Sequence, residues 1–208
     1  TKLLTLARDS IGEKPIYYGS FTNTFVFSSE LKAIKSGFKK YLTHSKNEMN
    51  MMLRFGYVPS PKTIYKNVFK LLPGHAISIN EETKIVEQIK WFDLQEEINK
   101  SRQKMFNYNE NKLHNVLRSA VKEQMNSDVP LGCLLSGGVD SSLITALMQE
   151  QSINKINTFT IGFTEDLYDE AKYAREISRK LNTNHHELYV TSKMALDIIP
   201  KLPIIYDE

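Results

Sequence analysis

A candidate phosphate-binding loop is formed by Leu135-Ser136-Gly137-Gly138-Val139-Asp140-Ser141-Ser142. The short apolar run that ends at Leu135 predicts a strand before it, and the residues from Ser141 to Gln149 predict a helix after it. Glycines allow a tight turn and let a phosphate come close to backbone amides. The start of a helix offers N–H groups and a positive dipole end to anionic oxygens. The chemistry expected here is therefore the binding of a phosphorylated ligand.

The polar side chains of this loop extend the same prediction. Ser136, Ser141 and Ser142 supply hydroxyl donors. Asp140 would repel a phosphate by itself, so we expect it to hold a Mg²⁺ ion that bridges the phosphates. The loop has no lysine and so departs from the Walker pattern. The alternative without chemistry is a tight Gly-Gly turn with capping serines.

The elements predicted around the loop alternate between strand and helix. The first helix carries Leu113, Val116, Leu117, Ala120 and Val121 on one face. Further along the chain we predict a strand over 157–163, a helix over 169–181, a strand over 187–190 and a helix over 194–199. Such alternation predicts a parallel sheet with helices on its faces.

The first ninety residues have a different pattern. Short β-rich segments at 3–7, 15–18 and 25–27, with a hairpin of 76–80 and 84–91, predict an antiparallel sheet. Two helices are predicted, one over 30–35 that Gly37 ends and one over 47–55. Residues 92–106 lack clean periodicity and are interpreted as a linker region. The predicted domains are therefore 1–92 and 108–208.

Composition excludes several kinds of partner. Of the 208 residues, 27 are basic and 24 acidic, which gives no concentrated basic charge and argues against a nucleic-acid partner. No apolar run is long enough to span a bilayer and no signal peptide opens the chain, so we expect no membrane partner. The single cysteine, Cys133, excludes an internal disulfide and is expected to be a core residue. These features favour a cytoplasmic location.

The loop and its flanks resemble the glutamine-dependent asparagine synthetases, and the resemblance extends over nearly the whole chain. Its motifs are Asp128-Val129-Pro130-Leu131-Gly132 before the loop, then Thr158-Phe159-Thr160-Ile161-Gly162-Phe163, Tyr168-Asp169-Glu170 and Asn182-Thr183-Asn184-His185-His186-Glu187. Upstream they are Ala7-Arg8-Asp9 with Gly12, Lys14-Pro15-Ile16-Tyr17-Tyr18, Ser28-Ser29-Glu30-Leu31-Lys32-Ala33-Ile34, Tyr57-Val58-Pro59 and Leu72-Pro73-Gly74-His75.

The resemblance implies an α/β fold in two parts. The first is a partial antiparallel α+β domain of the N-terminal-nucleophile type, which is the glutaminase part and its connector. The second is a parallel-sheet ATP-pyrophosphatase domain, similar to the adenine nucleotide alpha hydrolases. The implied enzyme adenylates the aspartate side chain with ATP and amidates it with ammonia from glutamine. Its implied partners are small molecules, and a homodimer is compatible with the family.

The resemblance also assigns roles within the loop. It implies that the pyrophosphate end of ATP is held by Ser136, Gly137, Gly138, Asp140 and Ser141, with Ser142 in the same site. Backbone groups of Leu135 and Ile161 would face the adenine or ribose. Asp140 would be a ligand of Mg²⁺.

The chain departs from the family at both ends. The N-terminal cysteine nucleophile and the glutamine-binding residues have no counterpart in it, so no catalytic residue is assigned. In the family a second Ser-Gly motif and further acidic residues follow Asp207-Glu208, and these also have no counterpart in this chain. Both ends are expected to be cut from a longer protein, and this chain by itself is expected to be inactive in both reactions.

Other polar residues have simpler interpretations. His185 and His186 are adjacent in a predicted strand, so their side chains point to opposite faces and cannot easily share a metal. Asp169 and Glu170 open a helix, where acids favour the dipole, although a substrate or metal role stays open. Arg8-Asp9 is interpreted as a structural turn or ion pair.

Two rival functions stay open. One is a related amidotransferase with another carboxylate acceptor, such as a sugar acid or a β-amino acid derivative. The other is a non-catalytic nucleotide-binding module, which the retained Asp140 and serines disfavour. An ATP-pyrophosphatase that acts on RNA or GMP precursors is disfavoured by the first hundred residues and the near-neutral charge.

Overall fold

The computed structural model describes residues 2–80, 86–102, 109–165 and 169–207. Its contacts divide the chain into two compact units, Thr1–Phe106 with Lys201–Glu208, and Asn107–Pro200. Within those described ranges no helix is long and apolar enough to cross a membrane. A cytoplasmic location stays a prediction.

Nine strands and eight α-helices are found in the described ranges. The strands are β1 Leu3–Ala7, β2 Tyr17–Phe21, β3 Thr24–Ser28, β4 Val68–Lys70, β5 His75–Asn80, β6 Val86–Lys90, β7 Gly132–Leu134, β8 Asn157–Phe163 and β9 Asn184–Val190. The helices are α1 Leu31–Phe38, α2 Lys46–Phe55, α3 Leu94–Arg102, α4 Glu110–Gln124, α5 Val139–Gln151, α6 Ala171–Leu181, α7 Ser192–Ile198 and α8 Leu202–Ile205.

The first unit contains two antiparallel three-stranded sheets, in the orders β1-β5-β6 and β3-β2-β4. Strand side chains alternate between the two faces of a sheet. Tyr18 and Phe25 therefore leave one face of β3-β2-β4 and pack on a core that includes Leu6 and Ile77 of the other sheet. Side chains on the opposite face, Phe21 among them, pack on α1. The antiparallel prediction is confirmed, with two sheets in place of one.

Arg8 and Asp9 form a rigid turn between β1 and β2. The Arg8 guanidinium donates to the carbonyls of Leu71 at 2.6 Å, Gly12 at 2.8 Å and Lys14 at 2.9 Å. The Asp9 carboxylate accepts hydrogen bonds from backbone N–H groups of residues 11 to 14. These hydrogen bonds lower the pKa of Asp9, because they stabilise its charged form. The interpretation of this pair as a structural turn agrees with the structure.

Replacing Arg8 with alanine is expected to lower the free energy of unfolding of the first unit by about 2 to 4 kcal/mol, because carbonyls that accept from a charged donor lose it. Urea titration followed by the fluorescence of Trp91, the only tryptophan and a residue of the same unit, measures this. Lys14→Ala is the matched control, since that side chain is 85% exposed. An equal effect of both substitutions would contradict a specific role for Arg8.

One predicted helix end in this unit was wrong, and two elements were not predicted. Helix α1 runs through Gly37 to Phe38, and a Cβ at Gly37 would meet nothing within 4 Å, so the glycine is tolerated on an open surface. Strand β4 was not predicted, because only three residues pair with β2. Residues interpreted as linker contain α3, which Asp93 caps by accepting from the N–H of Gln95 at 2.8 Å. The rest of that linker, 103–106, lies outside the described residues.

The chain's last described residues belong to the first unit. The Asp207 carboxylate accepts from the backbone N–H of Leu31 at 2.6 Å and of Lys32 at 3.1 Å. Those groups open α1 and have no acceptor within the helix, so Asp207 acts as its N-terminal cap. The sequence analysis predicted this segment as part of the second domain. The contact with α1 could not be foreseen, because residues so far apart in the chain leave no local pattern.

The second unit contains a parallel sheet in the order β7-β8-β9. Helices α4 and α5 pack together over a core that includes Val121, Leu147, Met148 and Ile156. Cys133 is half-buried against this core, with its Sγ 3.4 Å from the Thr145 hydroxyl. The predicted alternation of strand and helix, and the parallel sheet, are confirmed. Taken together, the two units make a mixed α/β protein.

Candidate nucleotide-binding site

The predicted loop connects the end of β7 with the start of α5. Strand β7 ends at Leu134 and α5 begins at Val139. Gly137 has a φ of 82°, in the left-handed region that glycine adopts without steric cost. Gly138 is the N-cap of α5, and within the described ranges no side chain is found to accept from the N–H groups of Val139, Asp140 or Ser141. The first N–H groups of a helix have no acceptor within it, so this end is available to an anion.

The serine side chains stabilise the loop from within. The Ser136 and Ser141 hydroxyls lie 3.0 Å apart, and the Ser141 hydroxyl also accepts from the Ser136 N–H at 3.2 Å. The Ser136 hydroxyl accepts from the Gly138 N–H at 3.3 Å. The hydrogen bond between the two hydroxyls and the one from the Gly138 N–H are exposed to solvent, so a phosphate oxygen can replace them without burying an unpaired group.

The remaining predicted residues occupy different environments. Asp140 is exposed in the first turn of α5. The Ser142 Oγ is buried with no hydrogen-bond partner in the described part of the chain, so it is less accessible to a ligand than the other two serines. Within those ranges, no cluster of three or more His, Cys, Asp or Glu could hold a metal. A cation at Asp140 would therefore need ligands from phosphate and water, as is usual for Mg²⁺.

Leu135 and Ile161 lie at the carboxyl edge of the sheet. Leu135 is 2% exposed, and its N–H donates to the Phe159 carbonyl at 2.9 Å. The Thr160 hydroxyl donates to the Leu135 carbonyl. The Leu135 N–H is therefore already used, whereas its carbonyl can still accept one more hydrogen bond. The Leu135 backbone can thus offer a ligand an acceptor but no donor. Ile161 is 55% exposed and stands two residues past Phe159, the partner of Leu134 in the parallel register.

A contact with α6 that the sequence did not indicate determines where the loop lies. A Cβ built on Gly137 would lie 2.6 Å from the Tyr173 Cβ and 2.8 Å from the Ala174 N, so the loop backbone touches the first turn of α6. Ala174 is fully buried there. A small residue on a helix face is the only sequence signal of this contact, and it does not identify the partner.

Helix α6 is joined to β9 by a second interaction that sequence reasoning missed. Both carboxylate oxygens of Glu187 accept from the Arg175 guanidinium, with 2.7 Å between Nε and Oε1. The guanidinium also donates to the Tyr189 hydroxyl at 3.0 Å. Arg175 holds the pKa of Glu187 below its usual value, and Glu187 in turn raises the pKa of Arg175. Both groups are therefore charged near neutral pH.

The two adjacent histidines of β9 have separate environments, as predicted. The Nδ1 of His185 lies 2.9 Å from the Thr158 hydroxyl, and burial lowers the pKa of His185. The exposed His186 ring stacks on Phe159 with 5.1 Å between centroids. Asp169 accepts from the Ala171 N–H at 3.1 Å at the start of α6, the helix-opening role expected of it.

The second unit is an α/β unit in which a strand, a left-handed glycine turn and a helix start follow one another, and the first unit is an antiparallel α+β structure. Two family models match the chain in this arrangement. The glutamine amidotransferase domain matches residues 1–91, and asparagine synthase matches residues 112–208.

Curated relatives match almost the whole chain. A putative glutamine-hydrolyzing asparagine synthetase 2 of Methanocaldococcus jannaschii is 35% identical over 213 residues, which cover 99% of this chain and 40% of that protein. The glutamine-hydrolyzing asparagine synthetase 1 of Bacillus subtilis is 28% identical over 97% of this chain and 31% of that protein. The enzyme of Zea mays is 28% identical over 97% and 30%. The chain thus spans two fifths or less of the length of these relatives, and nearly all of it is similar to asparagine synthetases.

Proposed function

We propose that this chain is part of a glutamine-dependent asparagine synthetase, with its ATP site at the loop 135–142. The first unit is then part of an N-terminal-nucleophile-type glutaminase domain, and the second is part of an ATP-pyrophosphatase domain. The observation that supports the ATP site is the uncapped start of α5, beside the exposed hydroxyls of Ser136 and Ser141 and the left-handed Gly137.

In the proposed reaction the loop holds the β- and γ-phosphates of ATP. An oxygen of the aspartate side chain attacks the α-phosphorus, the bond from that phosphorus to the bridging oxygen breaks, and pyrophosphate leaves. Ammonia released from glutamine then attacks the activated carbonyl carbon. The bond to AMP breaks and a proton is lost, which gives asparagine. Donors already in place at the loop stabilise the charge that develops on pyrophosphate.

Each predicted site residue has a role in this proposal. The loop amides around Gly137 and Gly138 and the hydroxyls of Ser136 and Ser141 face the pyrophosphate end of ATP. Asp140 contributes one ligand to Mg²⁺, which supplies charge neutralisation between the phosphates when bound. Ile161 lies beside the nucleoside, with the Leu135 carbonyl as an acceptor. Ser142 closes the first turn of α5 through its backbone N–H, which donates to the Gly138 carbonyl at 3.1 Å.

The exchange of labelled pyrophosphate into ATP by the longer protein to which this chain is proposed to belong tests the proposal, because adenylation is reversible and needs the acceptor acid but no ammonia. We expect exchange that depends on aspartate, and a Gly137→Ala variant that lacks it. Exchange with a sugar acid or a β-amino acid but none with aspartate would assign the site to another amidotransferase. Saturable ATP binding without exchange for any acid would identify a non-catalytic nucleotide-binding module.

A further inference from the structure

We infer that Arg175 and Glu187 are positioning residues that fix the phosphate-binding loop through α6. The inference rests on the proposed function in one respect, since it takes the loop around Gly137 as the ATP site. Neither side chain belongs to that loop. They act on it through the first turn of α6, which the loop backbone touches.

The loop is held at two places. At its start, Leu135 donates to the Phe159 carbonyl and accepts from the Thr160 hydroxyl, so this end is fixed to β8. At its tip, Gly137 lies against Tyr173 and Ala174 so closely that a Cβ would overlap their backbone. The position of the tip therefore depends on the position of α6.

The N-terminal half of α6 is fixed to the sheet by a bidentate pair. Arg175 follows Ala174 directly, and its guanidinium binds both carboxylate oxygens of Glu187 on β9. The Glu187 side chain is 18% exposed and the Arg175 side chain 41%, so solvent screens this pair only in part. A fork-to-fork geometry fixes direction as well as distance. The pair therefore sets how far the first turn of α6 stands from the sheet.

The C-terminal half of α6 has its own attachment. The Thr183 hydroxyl donates to the Ser178 hydroxyl at 3.0 Å and lies 2.9 Å from the Thr158 hydroxyl of β8. Ser178 is buried, as is Ala171 at the other end of the helix. Loss of the Arg175 pair should therefore loosen the first turn while the helix stays folded. This separates a positioning role from a purely structural one.

Three single variants test the inference. Arg175→Lys keeps the charge but loses the fork, because an ammonium group cannot bind both carboxylate oxygens in one plane. Glu187→Gln keeps the side-chain volume and removes the charge, and it serves as a second probe where Arg175→Lys does not fold. Arg179→Lys is the matched control, because Arg179 is exposed one turn further along α6.

Amide hydrogen exchange of residues 136–142 in the ligand-free protein is the first readout, measured by mass spectrometry after short labelling times. We expect Arg175→Lys and Glu187→Gln to speed loop exchange, and to weaken binding of Mg²⁺-ATP, by roughly threefold to thirtyfold, the range for residues that act on a site from outside it. Arg179→Lys should change neither quantity. The double variant Arg175→Lys/Glu187→Gln should show less than the product of the two single effects, because both remove the same interaction.

A fall in melting temperature with unchanged loop exchange would overturn the inference and leave the pair a purely structural one. Loop exchange that rises equally in Arg179→Lys would overturn it as well. Failure of the unaltered protein to bind Mg²⁺-ATP would refute the proposed function. The exchange data would still decide the coupling of the pair to the loop, so the two failures are distinguishable.

Discussion

Replacing Gly137 with alanine is expected to weaken ATP binding by roughly 30-fold to 150-fold, because it adds about 2 to 3 kcal/mol of local strain. The φ of 82° is unfavourable for alanine. The added Cβ would also lie 2.6 Å from the Tyr173 Cβ and 2.8 Å from the Ala174 N. Since backbone atoms of a packed helix cannot move aside, the loop must move, and its amides then leave the positions that suit phosphate.

Equilibrium titration with Mg²⁺-ATP measures this effect. Gly37→Ala is the matched control, because Gly37 lies in α1 and a Cβ there meets nothing within 4 Å. That control should leave ATP binding unchanged and is expected to stabilise α1 by about 0.5 to 1 kcal/mol. If Gly137→Ala binds ATP as tightly as the unaltered protein does, the loop conformation described here is not the one that binds phosphate.

Replacing Asp140 with asparagine is expected to remove most of the gain in ATP affinity that Mg²⁺ provides, by about tenfold or more if one direct metal ligand is lost. Without Mg²⁺ the substitution is expected to have the opposite effect on ATP affinity. Asp140 is an exposed negative charge in the first turn of α5, so its neutral replacement should bind the anionic ATP as well as or better than the unaltered protein. This opposite pair of effects distinguishes a metal ligand from a residue that only shapes the loop.

ATP titrations of both proteins with Mg²⁺ and with a chelator give the four affinities that this comparison needs. Asp197→Asn is the matched control, an exposed carboxylate in α7 of the same unit. It should change neither the affinity nor its dependence on Mg²⁺. An equal gain from Mg²⁺ in Asp140→Asn and the unaltered protein would show that the ion, where it binds, does not use Asp140.

The sequence predicted most elements of the second unit because their patterns are local. The bounds of β8 match the prediction, and α4 and α6 lie where helices were predicted, although Leu113 and Val116 of the predicted α4 face are exposed. In the first unit β1 was predicted residue for residue, whereas α3 was missed. Asp93 caps the start of this helix, and a Glu97–Lys100 ion pair lies on its exposed surface; hydrophobic periodicity reports neither contact.

The site divides in the same way. Ser136, Gly137, Gly138, Asp140 and Ser141 could be proposed as a phosphate site from the sequence, because phosphate binding needs those residue types next to each other in the chain. In the structure, hydrogen bonds join the hydroxyls of Ser136 and Ser141 with the N–H groups of Ser136 and Gly138. The hydrogen bond from the Leu135 N–H to the Phe159 carbonyl could not be predicted from the sequence, because it depends on the register of two strands.

By itself, the sequence determined most elements of the second unit, the residue types of the loop and the similarity to asparagine synthetases. Each of these features depends on patterns of residues that are close together in the chain. Only the tertiary structure decided that Gly137 meets α6, that Arg175 binds Glu187, and that Asp207 caps α1. Such contacts join residues distant in the chain, and they depend on strand register and side-chain packing. A local pattern of residue types specifies neither of these.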